Sequence, residues 1–136
     1  MLLDELSSTG FAKTNRPYDD SLATALKFYK LEEFKEAKDH LSLLVKSNST
    51  DHVARLYLGL TLLQQGDYQE ASKHLKLTSQ IKGFRHKDVA DWYLALSYLG
   101  FNNEEGLSLA KKQLKIIADN ATSTYQQDAA SALEML

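Results

Sequence analysis

Apolar residues recur along most of this chain at the three- and four-residue spacing that is typical of amphipathic helices. Between residues 56 and 63 they cover a broad face of one predicted helix. Gly66 and Asp67 follow this helix. Glycine is favoured just after the end of a helix, and aspartate is favoured just before the start of the next one. Ala71 then lies on the inner face of a second apolar-periodic segment. This pattern predicts a helical hairpin.

Gly59 lies inside the first helix of this hairpin. Glycine in a helix interior costs roughly 1 kcal/mol relative to alanine. The usual compensation is the close approach of a neighbouring helix, so we expect the second helix to contact Gly59, with Ala71 at the point of contact.

The hairpin pattern is repeated before and after this segment, at a spacing of 34 residues on the N-terminal side and 36 on the C-terminal side. In the third copy the alignment predicts one residue fewer in the turn. The equivalent residues are Ala25, Gly59 and Ala95 in the first helices, Phe34 and Tyr68 after the turns, and Ala37, Ala71 and Gly106 in the second helices.

A helix-turn-helix unit of 34 residues is the signature of the tetratricopeptide repeat. On these residues the chain resembles the tetratricopeptide repeat (TPR) family over about residues 18–118. The resemblance implies an all-α fold, a right-handed stack of antiparallel helical hairpins with about seven helices. The proline that customarily closes each repeat is absent.

The domain organisation follows from this repeat. Residues 1–17 are expected to form an irregular N-terminal lead-in, and residues 18–136 the TPR-like helical repeat domain. Repeat stacks need a terminal element that covers the last unit. The units are expected at about 18–51, 52–87 and 88–120, with a capping helix at 122–136.

The composition is consistent with one helical domain, and it reduces the classes of partner that this chain is expected to bind. The 136 residues are 43% hydrophobic and include one Pro and six Gly. The net charge of −2 implies no strong electrostatic attraction to nucleic acid or to a membrane, so no nucleic-acid partner is expected. There is no Cys, which excludes disulfides and thiolate nucleophiles. No apolar run approaches the ~20 residues that span a bilayer, so no membrane insertion is expected within this chain.

The N-terminal sequence bears on localisation. Met1-Leu2-Leu3 is followed at once by Asp4 and Glu5, which is not the pattern of a signal peptide. We expect a cytoplasmic protein, or a bacterial periplasmic one if an anchor or signal precedes this sequence.

The resemblance also implies a concave groove lined by the first helix of each hairpin. The groove residues carried over from the family are Leu22, Leu26 and Tyr29 in the first unit, Leu56, Leu60 and Leu63 in the second, and Trp92, Leu96 and Leu99 in the third.

These positions indicate the kind of partner. Family members that hold chaperone C-terminal tails need Lys, Arg and Asn on this surface, whereas this chain has leucines and aromatic residues. An apolar groove suits an amphipathic helix or an extended apolar peptide. Leucines at helical spacing are equally typical of a packed core, which is the alternative for some of these leucines. Trp92 and Tyr29 are the favoured positions for partner contact, with ordinary packing between repeats as the alternative for Trp92.

The sequence contains none of the common catalytic or cofactor-binding motifs. No His pair has the spacing of a helical metal site, and neither a Gly-rich phosphate loop nor a GxSxG motif is present. His40 and His74 occupy equivalent places and are expected on the surface, away from the groove. The sequence therefore predicts no enzyme, no cofactor and no metal, and a protein-interaction scaffold.

Two other functions remain open. In the first, the chain is a self-associating, homodimeric structural module, with the apolar surface or residues 1–17 exchanged between copies. In the second, it is an accessory domain of a longer membrane-anchored bacterial envelope protein. The lead-in contains Leu2, Leu3, Leu6 and Phe11, so it is either a frayed terminus or a segment that docks onto the domain or onto a second copy.

Overall fold

A computed structural model of the protein describes residues 17–136, with side chains from residue 20 onward. Over this range the chain forms seven α-helices and no strand, as predicted. They are α1 (Pro17–Lys30), α2 (Phe34–Ser47), α3 (His52–Gln64), α4 (Tyr68–Ser79), α5 (Lys87–Gly100), α6 (Glu104–Ala118) and α7 (Gln126–Met135). The predicted lead-in, apart from Pro17, lies outside the described residues.

Consecutive helices pack against each other along the whole stack. The pairs α1–α2, α3–α4 and α5–α6 are the three predicted hairpins. Neighbouring hairpins are joined by contacts between α2 and α3 and between α4 and α5, and α7 packs on α6. The prediction of an all-helical stack of hairpins is confirmed.

The three hairpin turns repeat one backbone conformation. Their second residues, Glu32, Gly66 and Asn102, have positive φ angles of 60°, 79° and 55°. In each turn this residue donates its amide to the carbonyl three positions earlier. Each turn also has three residues between its helices, so the prediction of a shorter third turn is wrong.

The third turn differs in conformation rather than in length. Its last residue, Asn103, is extended, with φ −146° and ψ 174°, whereas Asp67 in the second turn has φ −88° and ψ 71°. As a result the buried small residue lies four positions after Asn102 in the third unit, at Gly106, but five positions after Gly66 in the second, at Ala71.

The close approach expected at Gly59 is confirmed. A Cβ atom placed there would lie 2.8 Å from the Leu75 Cγ atom of α4. The atoms nearest to this Cβ belong to Leu75 and His74 and not to Ala71, which was expected at the point of contact and is fully buried on the same helix. The Leu75 side chain of α4 therefore packs directly against the backbone of α3 at Gly59. This close contact offsets the cost of an interior glycine.

The C-terminal cap is held by polar and apolar contacts. Thr124 donates its backbone amide and its hydroxyl to Asp88 Oδ2, each at 3.0 Å. A small core of Ala95, Leu114, Ile117 and Ala129 joins α5 and α6 to α7. The capping helix begins at Gln126 instead of at residue 122, because residues 122–125 form the turn that Asp88 anchors.

Candidate interaction surface

Three of the nine predicted groove residues belong to the core. Leu22, Leu56 and Leu60 are only 1%, 0% and 3% exposed. All three side chains are packed in the main core, so the core alternative holds at these positions.

The burial of α3 explains this result. Between residues 54 and 62 only Arg55 is not buried. α3 contacts its hairpin partner α4 and the preceding helix α2, and it also contacts α1 and α5. The Tyr29 ring of α1 packs edge-on against the Tyr57 ring at 5.2 Å. A helix that is apolar all round is typical of a buried one, and that signal was present in HVARLYLGLTLLQ.

Five other predicted groove residues, all on first helices, remain half-buried. We call them the first-helix face; four of them also pack against the main core. Tyr29, Leu63 and Leu99 are repeat-equivalent, as are Leu26 and Leu96. The members of the first-helix face are Leu26, Tyr29, Leu63, Leu96 and Leu99.

Trp92, the ninth predicted residue, is half-buried and stacks on Tyr125. The ring centroids are 5.2 Å apart and the planes are inclined by only 3°. Tyr125 immediately precedes α7. Trp92 therefore joins the third hairpin to the cap, which is a packing role at a position proposed for partner contact.

Tyr29 is the polar member of the first-helix face. Burial, and to a smaller extent the nearby Tyr93 phenol, raise the pKa of Tyr29 from 10.0 to about 12. The phenol is thus neutral at physiological pH. Tyr93 belongs to α5 and Tyr29 to α1, so the third unit contributes to the electrostatic surroundings of a side chain in the first.

This raised pKa predicts weaker folding in alkali. Between pH 10.0 and about 12 the native state keeps the Tyr29 proton that the unfolded chain loses, so the free energy of unfolding falls as the pH rises. Tyr29→Phe removes this contribution and should make the fall shallower. The measurement is the urea midpoint as a function of pH. Tyr68→Phe, at a ring that is 36% exposed, is the control, and equal slopes for both variants would contradict the prediction.

A cavity of about 410 Å³ lies at the α5–α6 turn, lined by Leu99, Asn102, Asn103, Glu104 and Leu107. Leu99 also belongs to the first-helix face, so the cavity extends that face at one end. Asn103 Oδ1 accepts a hydrogen bond from the Gly106 amide at 2.7 Å. Sequence reasoning missed Asn102 and Leu107 because the turn conformation brings them together.

The two repeat-equivalent histidines are half-buried, not simply on the surface as predicted. His40 stacks on Phe28, with ring centroids 5.1 Å apart. Arg55 Nη1 lies 3.2 Å from His74 Nδ1. Burial, and then the charge of Arg55, lower the pKa of His74. A neutral imidazole at this place accepts the arginine hydrogen bond.

The described residues, 17–136, contain neither a cluster of metal ligands nor a membrane-spanning helix. No group of three or more His, Asp or Glu side chains in this range is arranged to hold a metal ion. None of the helices in the described part of the chain combines the length and apolarity needed to cross a membrane.

Comparison of the chain with protein-family models and with curated proteins finds no match.

Proposed function

We propose that this chain is a TPR-like, non-enzymatic protein-interaction scaffold that binds an amphipathic helix or an apolar peptide on the first-helix face. The observation that carries the proposal is the set of four leucines and one tyrosine, all half-buried, at repeat-equivalent places on α1, α3 and α5. A row of such side chains suits a ligand that presents apolar residues at regular intervals.

The TPR-like assignment draws its support from internal repetition. Three hairpins share a positive φ at the same turn residue, and their first helices share a small residue at one position. Stacked hairpins of this kind place equivalent side chains in rows, which is how repeat proteins build extended binding surfaces.

The residues of the face also suit a binding role. Tyr29 joins a large apolar ring to a phenol that is neutral at physiological pH, a combination enriched at protein interfaces. At the other end, the 410 Å³ cavity beside Leu99 combines two leucines with two asparagines and one glutamate. A partner side chain bound in this cavity would contact both apolar and polar groups.

Site-specific photo-crosslinking in cells tests the proposal. A photoreactive amino acid at Leu96, on the first-helix face, should give a discrete adduct. The same amino acid at Leu43, which is 66% exposed on α2, should not. Leu63→Asp should abolish the adduct while circular dichroism stays helical, since Leu63 is only half-buried.

The mass of the adduct separates the functions. An adduct with a different protein supports the scaffold. An adduct of twice the chain mass, together with a dimer by light scattering, supports the self-associating module instead. No adduct at Leu96, or an equal adduct at Leu43, would overturn binding on this face.

A further inference from the structure

The side chain at one position of the first helices differs among the three hairpins, and it is smallest in the middle hairpin. This position is occupied by Phe28 in the first unit, Leu62 in the second and Tyr98 in the third. The Phe28 ring stacks on His40 at 5.1 Å with the planes inclined by 26°. Tyr98 is only 9% exposed and packs edge-on against Phe101. Only the middle unit lacks a ring at this place.

A cavity of about 200 Å³ lies beside Leu62. Its floor is formed by Leu58 and Leu62, each 4% exposed. His74, the equivalent of His40, lines it as well, and Lys38, Asp67 and Glu70 are among its exposed residues. The second unit therefore keeps the histidine of the first unit but not the ring that stacks on it.

We propose that this cavity binds an aromatic side chain, phenylalanine or tyrosine, of a partner protein. The ring would lie against Leu62 and His74 as the Phe28 ring lies against His40. The volume is sufficient, since an apolar cavity of about 150 Å³ holds benzene.

The charges around the cavity favour a neutral ligand. Lys38 carries a positive charge and Asp67 and Glu70 carry negative ones, and Glu70 is paired with Lys73 at 2.7 Å. Charges of both signs give little net attraction for a cation or an anion. Among the neutral groups of the cavity are the two leucines of its floor and the uncharged imidazole of His74, and these groups suit a flat, uncharged ring.

This site is distinct from the first-helix face. It lies between α2 and α4, over one side of α3, and shares no residue with the five members of that face. Its test is therefore independent of the proposed function.

The test is a titration followed by NMR of the histidine ring protons. N-acetyl-phenylalaninamide and N-acetyl-tyrosinamide are the probes, and N-acetyl-leucinamide is the aliphatic control. We expect the His74 protons to shift saturably with a dissociation constant in the millimolar range, as a ring stacks on them. The His40 protons, already against Phe28, should not move.

Leu62→Phe supplies the missing ring from within the chain and should weaken probe binding by about tenfold, the most that a favourable ring pair contributes. Leu43→Phe, at an exposed position, should leave binding unchanged. If Leu62→Phe fails to fold, His74→Ala replaces it and should also weaken binding. No saturable His74 shift, equal binding of the leucine probe, or unchanged binding in the folded variant would overturn the proposal.

Discussion

Replacing Leu60 by aspartate is expected to abolish folding of the domain. Leu60 is 3% exposed and lies on α3, which is buried against four other helices. An ionised carboxylate without a partner in such surroundings is among the most destabilising changes possible. Leu60→Ala, which leaves only a cavity, should lower the free energy of unfolding by about 2–5 kcal/mol. Both are measured by circular dichroism and urea unfolding.

The control for Leu60 is the same substitution at a leucine in solvent. Leu43 is 66% exposed on α2, so Leu43→Asp should change the free energy of unfolding by no more than about 0.5 kcal/mol. A folded Leu60→Asp variant with the wild-type melting temperature would contradict the burial of Leu60. It would indicate instead the open groove that the family resemblance implies.

Gly106→Ala is expected to destabilise the protein although alanine occupies the equivalent place in both other hairpins. A Cβ atom at Gly106 would lie 2.6 Å from the Phe101 Cβ and closer still to the carbonyl oxygen of Tyr98. A backbone oxygen cannot rotate away, so α6 must move relative to α5. Overpacking of this kind costs about 1–3 kcal/mol, against a gain in helix propensity of up to about 1 kcal/mol.

Thermal unfolding measures the net effect, which should be a melting temperature lower by several degrees. Ser108→Ala is the matched control, since Ser108 is exposed on the same helix and the change tests propensity alone. Ser108→Ala should leave the melting temperature unchanged or raise it slightly. A Gly106→Ala protein as stable as the control would show that α6 has room at this position.

Local signals explain why the hairpins were predictable from the sequence. The Gly66-Asp67 pair follows an apolar-periodic segment and precedes another, and the structure ends α3 at Gln64 and begins α4 at Tyr68. Gly59 likewise indicated a close helix contact, because an interior glycine without one is costly. These features depend only on neighbours within one or two turns of the chain.

The conformation of the third turn was not predictable from local sequence signals. Matching Gly106 to Ala71 correctly paired two buried small residues, but the alignment gap was placed in the turn. The turn keeps its length, but Asn103 is extended, and the buried small residue comes one position earlier on α6 than on α4. Residue spacing along the chain does not distinguish a deletion from a change in turn conformation.

The sequence by itself determined the helices, their pairing into three hairpins and a cap, and which side of each helix is apolar. The tertiary structure alone decided that Leu22, Leu56 and Leu60 are core, that Trp92 packs on Tyr125, and that a cavity lies beside His74. The physical reason is that periodicity identifies an apolar side, whereas exposure depends on how many neighbouring helices cover that side.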